Sequence, residues 1–195
     1  GVCSAEAGRA AASLVGGGGA EGLRGPPPQE LMPHPPTADV LIAADCWQTQ
    51  PDAEDVIQRA IAAAASFVEL PADETEVAVM LTDDARIREL NKEWRDQDKA
   101  TNVLSFPAAQ PPGATPSPLM LGDIAIAYET TRKEAETEGK PFQNHLSHLA
   151  IHGFLHLLGY DHLDDDEAEE MEGLEREILA SLGIADPYLI NDQAT

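Results

Sequence analysis

Four of the chain's six histidines, His145, His148, His152 and His156, fall between Pro141 and Leu158, and the last three recur every four residues. In a stretch otherwise rich in Leu, Ile and Ala this spacing predicts a helix, on which residues four apart stack one turn, about 5.4 Å, above one another. His148 and His156 then lie about 12 Å apart along the axis, too far for both to reach one ion at Zn–N distances near 2.1 Å. At most one adjacent pair can chelate. Gly159 follows His156 by three residues, where glycine can take the left-handed conformation that ends a helix, and His162 lies on the return segment. A ligand delivered just past the helix end closes on the last turn, which selects His152, His156 and His162.

Three neutral imidazoles leave the fourth position of a tetrahedral zinc open, the arrangement of a catalytic site and not of a closed structural one. One zinc per chain is expected, although three imidazoles also suit nickel or copper. Such an ion acidifies water and polarises a substrate oxygen. His148, one turn upstream, reads as a packing or orienting neighbour and not as a ligand. Asp161 reads equally as an orienting carboxylate and as a turn cap.

The spacing His152, His156, His162 with Gly159 between also matches the metzincin proteases, in which a glutamate after the first histidine acts as general base. Here that residue is Gly153. Without a carboxylate there, peptide attack lacks its base, so a metzincin-like zinc protease is the alternative and not the first reading.

Elsewhere the pattern predicts strands at Val40–Ala44, Glu76–Leu81, Asn102–Phe106 and Gly122–Tyr128, the third ending at Pro107. Helices are expected over Pro51–Val68, from the capping residues Thr82–Asp84 to Trp94, over Thr130–Glu138, Pro141–Leu158 and Asp164–Leu182, the last stopped by Gly183. Ile87, Leu90 and Trp94 fall at the spacing of one apolar stripe. The fold class expected is α/β with an α+β character: a single domain with one four-stranded mixed sheet, about five helices and the zinc site at the end of a long helix.

Residues 1–37 contain Gly16–Gly19 and Pro26–Pro28 with almost no periodic hydrophobicity, so a disordered leader is expected there, the domain over 38–185 and a tail over 186–195. A methionine, Met32, stands just before the expected domain. The apolar run Ala10–Val15 is too short for a signal-peptide core, and no run reaches the roughly 18 residues of a membrane span. Two cysteines make no disulfide framework, so a reducing cytoplasm is expected. The net charge of −23 works against binding a polyanion, except through a local basic face such as Arg86, Arg88, Lys92, Arg95 and Lys99.

The stretch His148-Leu-Ala-Ile-His152-Gly-Phe-Leu-His156-Leu-Leu-Gly-Tyr160-Asp161-His162 resembles the signature of the YbeY family of metal-dependent endoribonucleases. Leu90-Asn91 followed by Arg95, then Thr101-Asn-Val-Leu-Ser-Phe106-Pro107, then Leu121-Gly-Asp-Ile124 resemble its other blocks in the same order, over about Val40 to Gly183. The resemblance implies a zinc-dependent, single-strand-selective RNA hydrolase acting in 16S ribosomal RNA 3′-end maturation and ribosome quality control in the cytoplasm. RNA and the ribosome would be its partners, with no DNA and no membrane. It places the zinc ligands on His152, His156 and His162, and a site arginine on Arg95. A guanidinium fork suits the non-bridging oxygens of a phosphodiester. Asn102 and Ser105 carry no assigned role. A non-catalytic metal-binding ribosome assembly factor is the other class the residues allow, although a structural metal would want a fourth protein ligand.

Overall fold

Four short segments carrying β-branched and small apolar residues form one sheet: β1 (Thr37–Ile42), β2 (Thr75–Thr82), β3 (Val103–Pro107) and β4 (Leu119–Ala127). The helices are α1 (Ala53–Ala65), α2 (Asp84–Arg95), α3 (Tyr128–Glu138), α4 (Phe142–Leu157) and α5 (Asp165–Ser181), with a 3₁₀ turn at Asp45–Thr49. The computed structural model describes residues 34–109, 113 and 118–189, all within a unit spanning Pro33–Thr195. The expectation of a disordered leader falls almost wholly outside these residues.

The strand order is β1-β2-β4-β3, parallel across β1, β2 and β4 and antiparallel at β3. The sheet is mixed, as expected. β1 begins at Thr37, the last residue assigned to the leader, and ends at Ile42, earlier than the run Val40–Ala44. The cause is its place at the sheet edge, where it pairs only with β2 and tolerates Thr37 and Asp39. Gly122 of β4 has φ 145°, and a Cβ there would lie 2.2 Å from the Phe106 carbonyl oxygen, so only glycine allows β3 and β4 to approach at this point.

Side chains alternate across the sheet. Ile124 and Ile126 of β4 join the large core formed with α1, α4 and α5, whereas Ala125 and Ala127 join Ile87 of α2 and Leu104 in a smaller cluster. α4 therefore lies on one face and α2 on the other. α4 is buried over most of its length because it contacts β3, β4, α1, α3 and α5, and His148, His152 and His156 lie along the remaining face. Trp94 departs from the expected apolar stripe. The small second core buries Ile87, but Trp94 is 65% exposed and rests against Phe106 at 5.9 Å between ring centroids. The main-core tryptophan is instead Trp47, in the 3₁₀ turn, whose Nε1–H donates to Thr82 O at 2.8 Å. No described helix is long and apolar enough to cross a membrane.

Candidate metal centre

α4 ends where the sequence says it should. Gly159 takes φ 94°, and Tyr160 N–H donates back to Leu155 O at 3.1 Å, so the chain reverses and carries His162 towards the last turn. The imidazole nitrogens of His152, His156 and His162 gather within 4.8 Å of one another. The ring centroid of His162 is 5.7 Å from that of His152 and 5.0 Å from that of His156. The three expected ligands are thus brought together, with His162 on the exposed side.

Hydrogen-bond partners fix which nitrogens face inward. His156 Nδ1 lies 2.9 Å from Tyr160 O, and a carbonyl can only accept, so Nδ1 carries the proton. His152 Nδ1 lies 2.7 Å from Glu175 Oε1 and likewise donates. In neutral rings both Nε2 atoms are then bare lone pairs, and they face each other at 3.0 Å. Two such lone pairs repel unless a cation lies between them. Burial first, then the neighbouring His152 and His162, lower the His156 pKa, which disfavours a proton as that cation. Two imidazole nitrogens on one tetrahedral zinc sit about 3.4 Å apart for bonds of about 2.1 Å, close to the spacing found. The donor set therefore fits a zinc ion.

Sequence reasoning did not single out Glu175, which lies in the acidic block of α5 and reaches two histidines of α4. Its side chain is 0% exposed. Burial alone would raise its pKa, but hydrogen bonds from His148 and His152 outweigh that and hold it at about 2. The available signal was its register: Met171, Glu175 and Ile178 follow at helical spacing and all are buried, so one carboxylate stood in the apolar stripe. His148 Nε2 lies 3.3 Å from Glu175 Oε2, and His148, His152 and Glu175 form a second group whose ligand atoms lie within 4.8 Å of one another. Asp161 Oδ1 accepts from His162 N–H at 2.8 Å and is 3.9 Å from His162 Nδ1, so its bond shapes the turn.

Gly153 is buried with its hydrogen-bearing face against the sheet. A Cβ there would lie 3.0 Å from Ile124 Cγ2 and 3.2 Å from Ser105 Oγ. Ser105 also donates its hydroxyl to Gly153 O at 3.2 Å, and Asn102 accepts from Val103 N–H and donates to Glu134, so both serve packing and capping. A glutamate at 153 would enter the sheet and not the metal centre.

Arg95 is not part of the histidine group. It is the exposed last residue of α2, on the other face of the sheet. The basic cluster around it is largely neutralised: Arg86 pairs with Glu89, and Arg88 and Lys92 both pair with Asp98. Arg95 and Lys99 make no ion pair among the described residues.

The profile of the family described as endoribonuclease YbeY matches residues 42–183. The chain is 66% identical over 164 residues to endoribonuclease YbeY of Bradyrhizobium diazoefficiens, covering 82% of this chain and 90% of that protein. It is 62% identical over 161 residues to the protein of the same name in Rhodopseudomonas palustris (strain BisB18), covering 82% and 96%. A solution structure of TM1509 from Thermotoga maritima aligns with a TM-score of 0.46 at 21% identity, over 78% of this chain and 99% of that one.

Proposed function

Since the chain belongs to the YbeY family, we propose that it is an endoribonuclease that hydrolyses phosphodiesters of single-stranded RNA, with His152, His156 and His162 holding one zinc ion per chain. The observation that carries this reading is the pair of Nε2 atoms held 3.0 Å apart, with acceptors on the opposite nitrogen of each ring. When bound, zinc would supply Lewis acidity to a phosphoryl oxygen and acidify the attacking water. The chain's own residues orient that chemistry. Tyr160 O and Glu175 keep the two rings in the tautomer that presents Nε2.

Arg95 is assigned to the phosphate, since a guanidinium without an ion pair among the described residues is free to donate its fork to non-bridging oxygens. Because α2 and α4 cover opposite faces, the RNA backbone has to pass around the edge strand β3 to meet both. The net charge of −23 opposes tight binding of naked RNA. The family resemblance points to precursor 16S ribosomal RNA on the ribosome as the substrate, in 3′-end maturation and quality control in the cytoplasm, and there ribosomal proteins would supply the positive surface this chain lacks.

The test pairs metal analysis of the purified chain with cleavage of single-stranded RNA, duplex RNA and a peptide library, before and after chelation. About one zinc per chain is expected, with cutting of single strands that chelation stops while far-UV circular dichroism persists. Metal-free protein that cuts RNA as fast would overturn the reading. Peptide cleavage without RNA cleavage would replace it with the protease.

A further inference from the structure

The segment after α5 was expected to be a tail, yet Pro187 and Tyr188 dock on the helices. Lys140 Nζ donates to Pro187 O at 2.7 Å, and Tyr188 N–H donates to Asp186 Oδ1 at 2.8 Å, forming a tight turn. The Tyr188 ring meets the His148 ring edge-on at 5.7 Å, and the Arg176 guanidinium lies 5.9 Å from its centroid. These contacts aim the Tyr188 hydroxyl at Glu175, to which it donates a hydrogen bond.

Glu175 has no solvent to satisfy it, so its oxygens depend on protein donors. Oε1 receives His152 Nδ1–H at 2.7 Å, and Oε2 receives His148 at 3.3 Å and the Tyr188 hydroxyl. Oε2 is thus shared by His148 and the Tyr188 hydroxyl, and the hydroxyl is the donor that the C-terminal segment supplies. With donors on both oxygens the carboxylate cannot turn about its Cγ–Cδ bond, and Oε1 stays aligned with His152 Nδ1. His148 Nδ1 is buried and has no hydrogen-bond partner among the described residues.

We propose that Tyr188 and Glu175 are positioning residues of the metal centre, which pass the docking of the C-terminal segment to His152 and hold its Nε2 bare and aimed at the ligand position. The proposal rests on the metal-binding reading above. It assigns the Asp186–Tyr188 turn a role in metal affinity, although none of its residues is a ligand.

The experiment measures zinc affinity of the full chain by competition with a chromophoric chelator, together with histidine tautomers of the metal-free chain by ¹⁵N–¹H correlation spectra. The variants are Tyr188→Phe, which removes the hydroxyl and keeps the ring, and Glu175→Gln. Affinity should fall roughly 10- to 100-fold in Glu175→Gln, the range for partners behind a ligand, and by about the lower end of that range in Tyr188→Phe. The His152 signal should change from the Nδ1–H tautomer towards a mixture in Glu175→Gln, because a Gln amide can donate to a bare Nδ1. Melting of metal-free Tyr188→Phe should stay close to that of the parent, separating positioning from folding. Unchanged affinity and an unchanged His152 tautomer in Tyr188→Phe, with a parent chain that binds zinc, would overturn the proposal alone. A parent chain that binds no zinc would overturn the metal-centre reading beneath it.

Discussion

Placing at position 153 the glutamate that a metzincin would carry, Gly153→Glu, sets the protease and ribonuclease readings against each other. A Cβ alone would stand 3.0 and 3.2 Å from two Ile124 carbons and 3.2 Å from Ser105 Oγ, and Ile124 is 1% exposed with no free space to enter. Gly153→Ala therefore overpacks the α4–sheet contact by about 1–3 kcal/mol, offset by roughly 1 kcal/mol of better helix propensity. Its net cost should be about 0–2 kcal/mol. Glutamate adds three more heavy-atom shells and a carboxylate facing an aliphatic surface, where an unpaired polar or charged group costs several kcal/mol more. A total of about 4–6 kcal/mol is comparable to the whole stability of many domains. Urea unfolding followed by tryptophan fluorescence and far-UV circular dichroism measures both variants, and peptide cleavage is assayed beside them. A Gly153→Glu chain within about 1 kcal/mol of the parent, or one that gains peptide cleavage, would refute the argument that this position faces the sheet.

His162→Ala should lower zinc affinity by more than about 100-fold, beyond the range for groups behind a ligand. The metal-free melting temperature should stay nearly unchanged, because the His162 side chain is 53% exposed; titration with zinc and thermal melts check both. Metal-free stability should fall on acidification. His156, with a pKa below its ordinary 6.5, binds its proton more readily when unfolded, so stability present above that value is lost below it. Glu175 adds a further loss as pH falls from its ordinary 4.5 towards about 2. Thermal melts from pH 8 to 3 measure this, and a maximum near pH 4 would contradict it. Arg95→Ala should keep its zinc and weaken RNA cleavage mainly through KM, because a guanidinium on the face opposite the histidines meets the RNA backbone away from the scissile phosphate, and Arg95→Lys should recover part of it, because an ammonium lacks the bidentate fork. Single-turnover RNA cleavage with metal analysis decides, and normal cleavage by Arg95→Ala would return the residue to a solvated helix end.

Local rules were enough wherever one chemical constraint acts within a few residues. The four-residue histidine spacing, the left-handed Gly159 and the return to His162 belong to one helix end, so the gathering of His152, His156 and His162 was legible before any tertiary contact. The four strands and five helices followed from hydrophobic period and capping, since Asp83 and Asp164 each accept from a first-turn N–H of their helix. What the sequence could not carry is partnership between distant elements. Glu175 looked like one acid among many, and only the seating of α5 against α4 puts it beside His152, 23 residues away. Trp94 has the spacing of a core residue, but no described element covers this side of α2 and β3, so it rests against Phe106 and stays 65% exposed. Gly153 shows by sequence alone that a base is missing. The structure adds that a base could not point at the metal from there, because side-chain direction depends on which face of the helix the sheet covers.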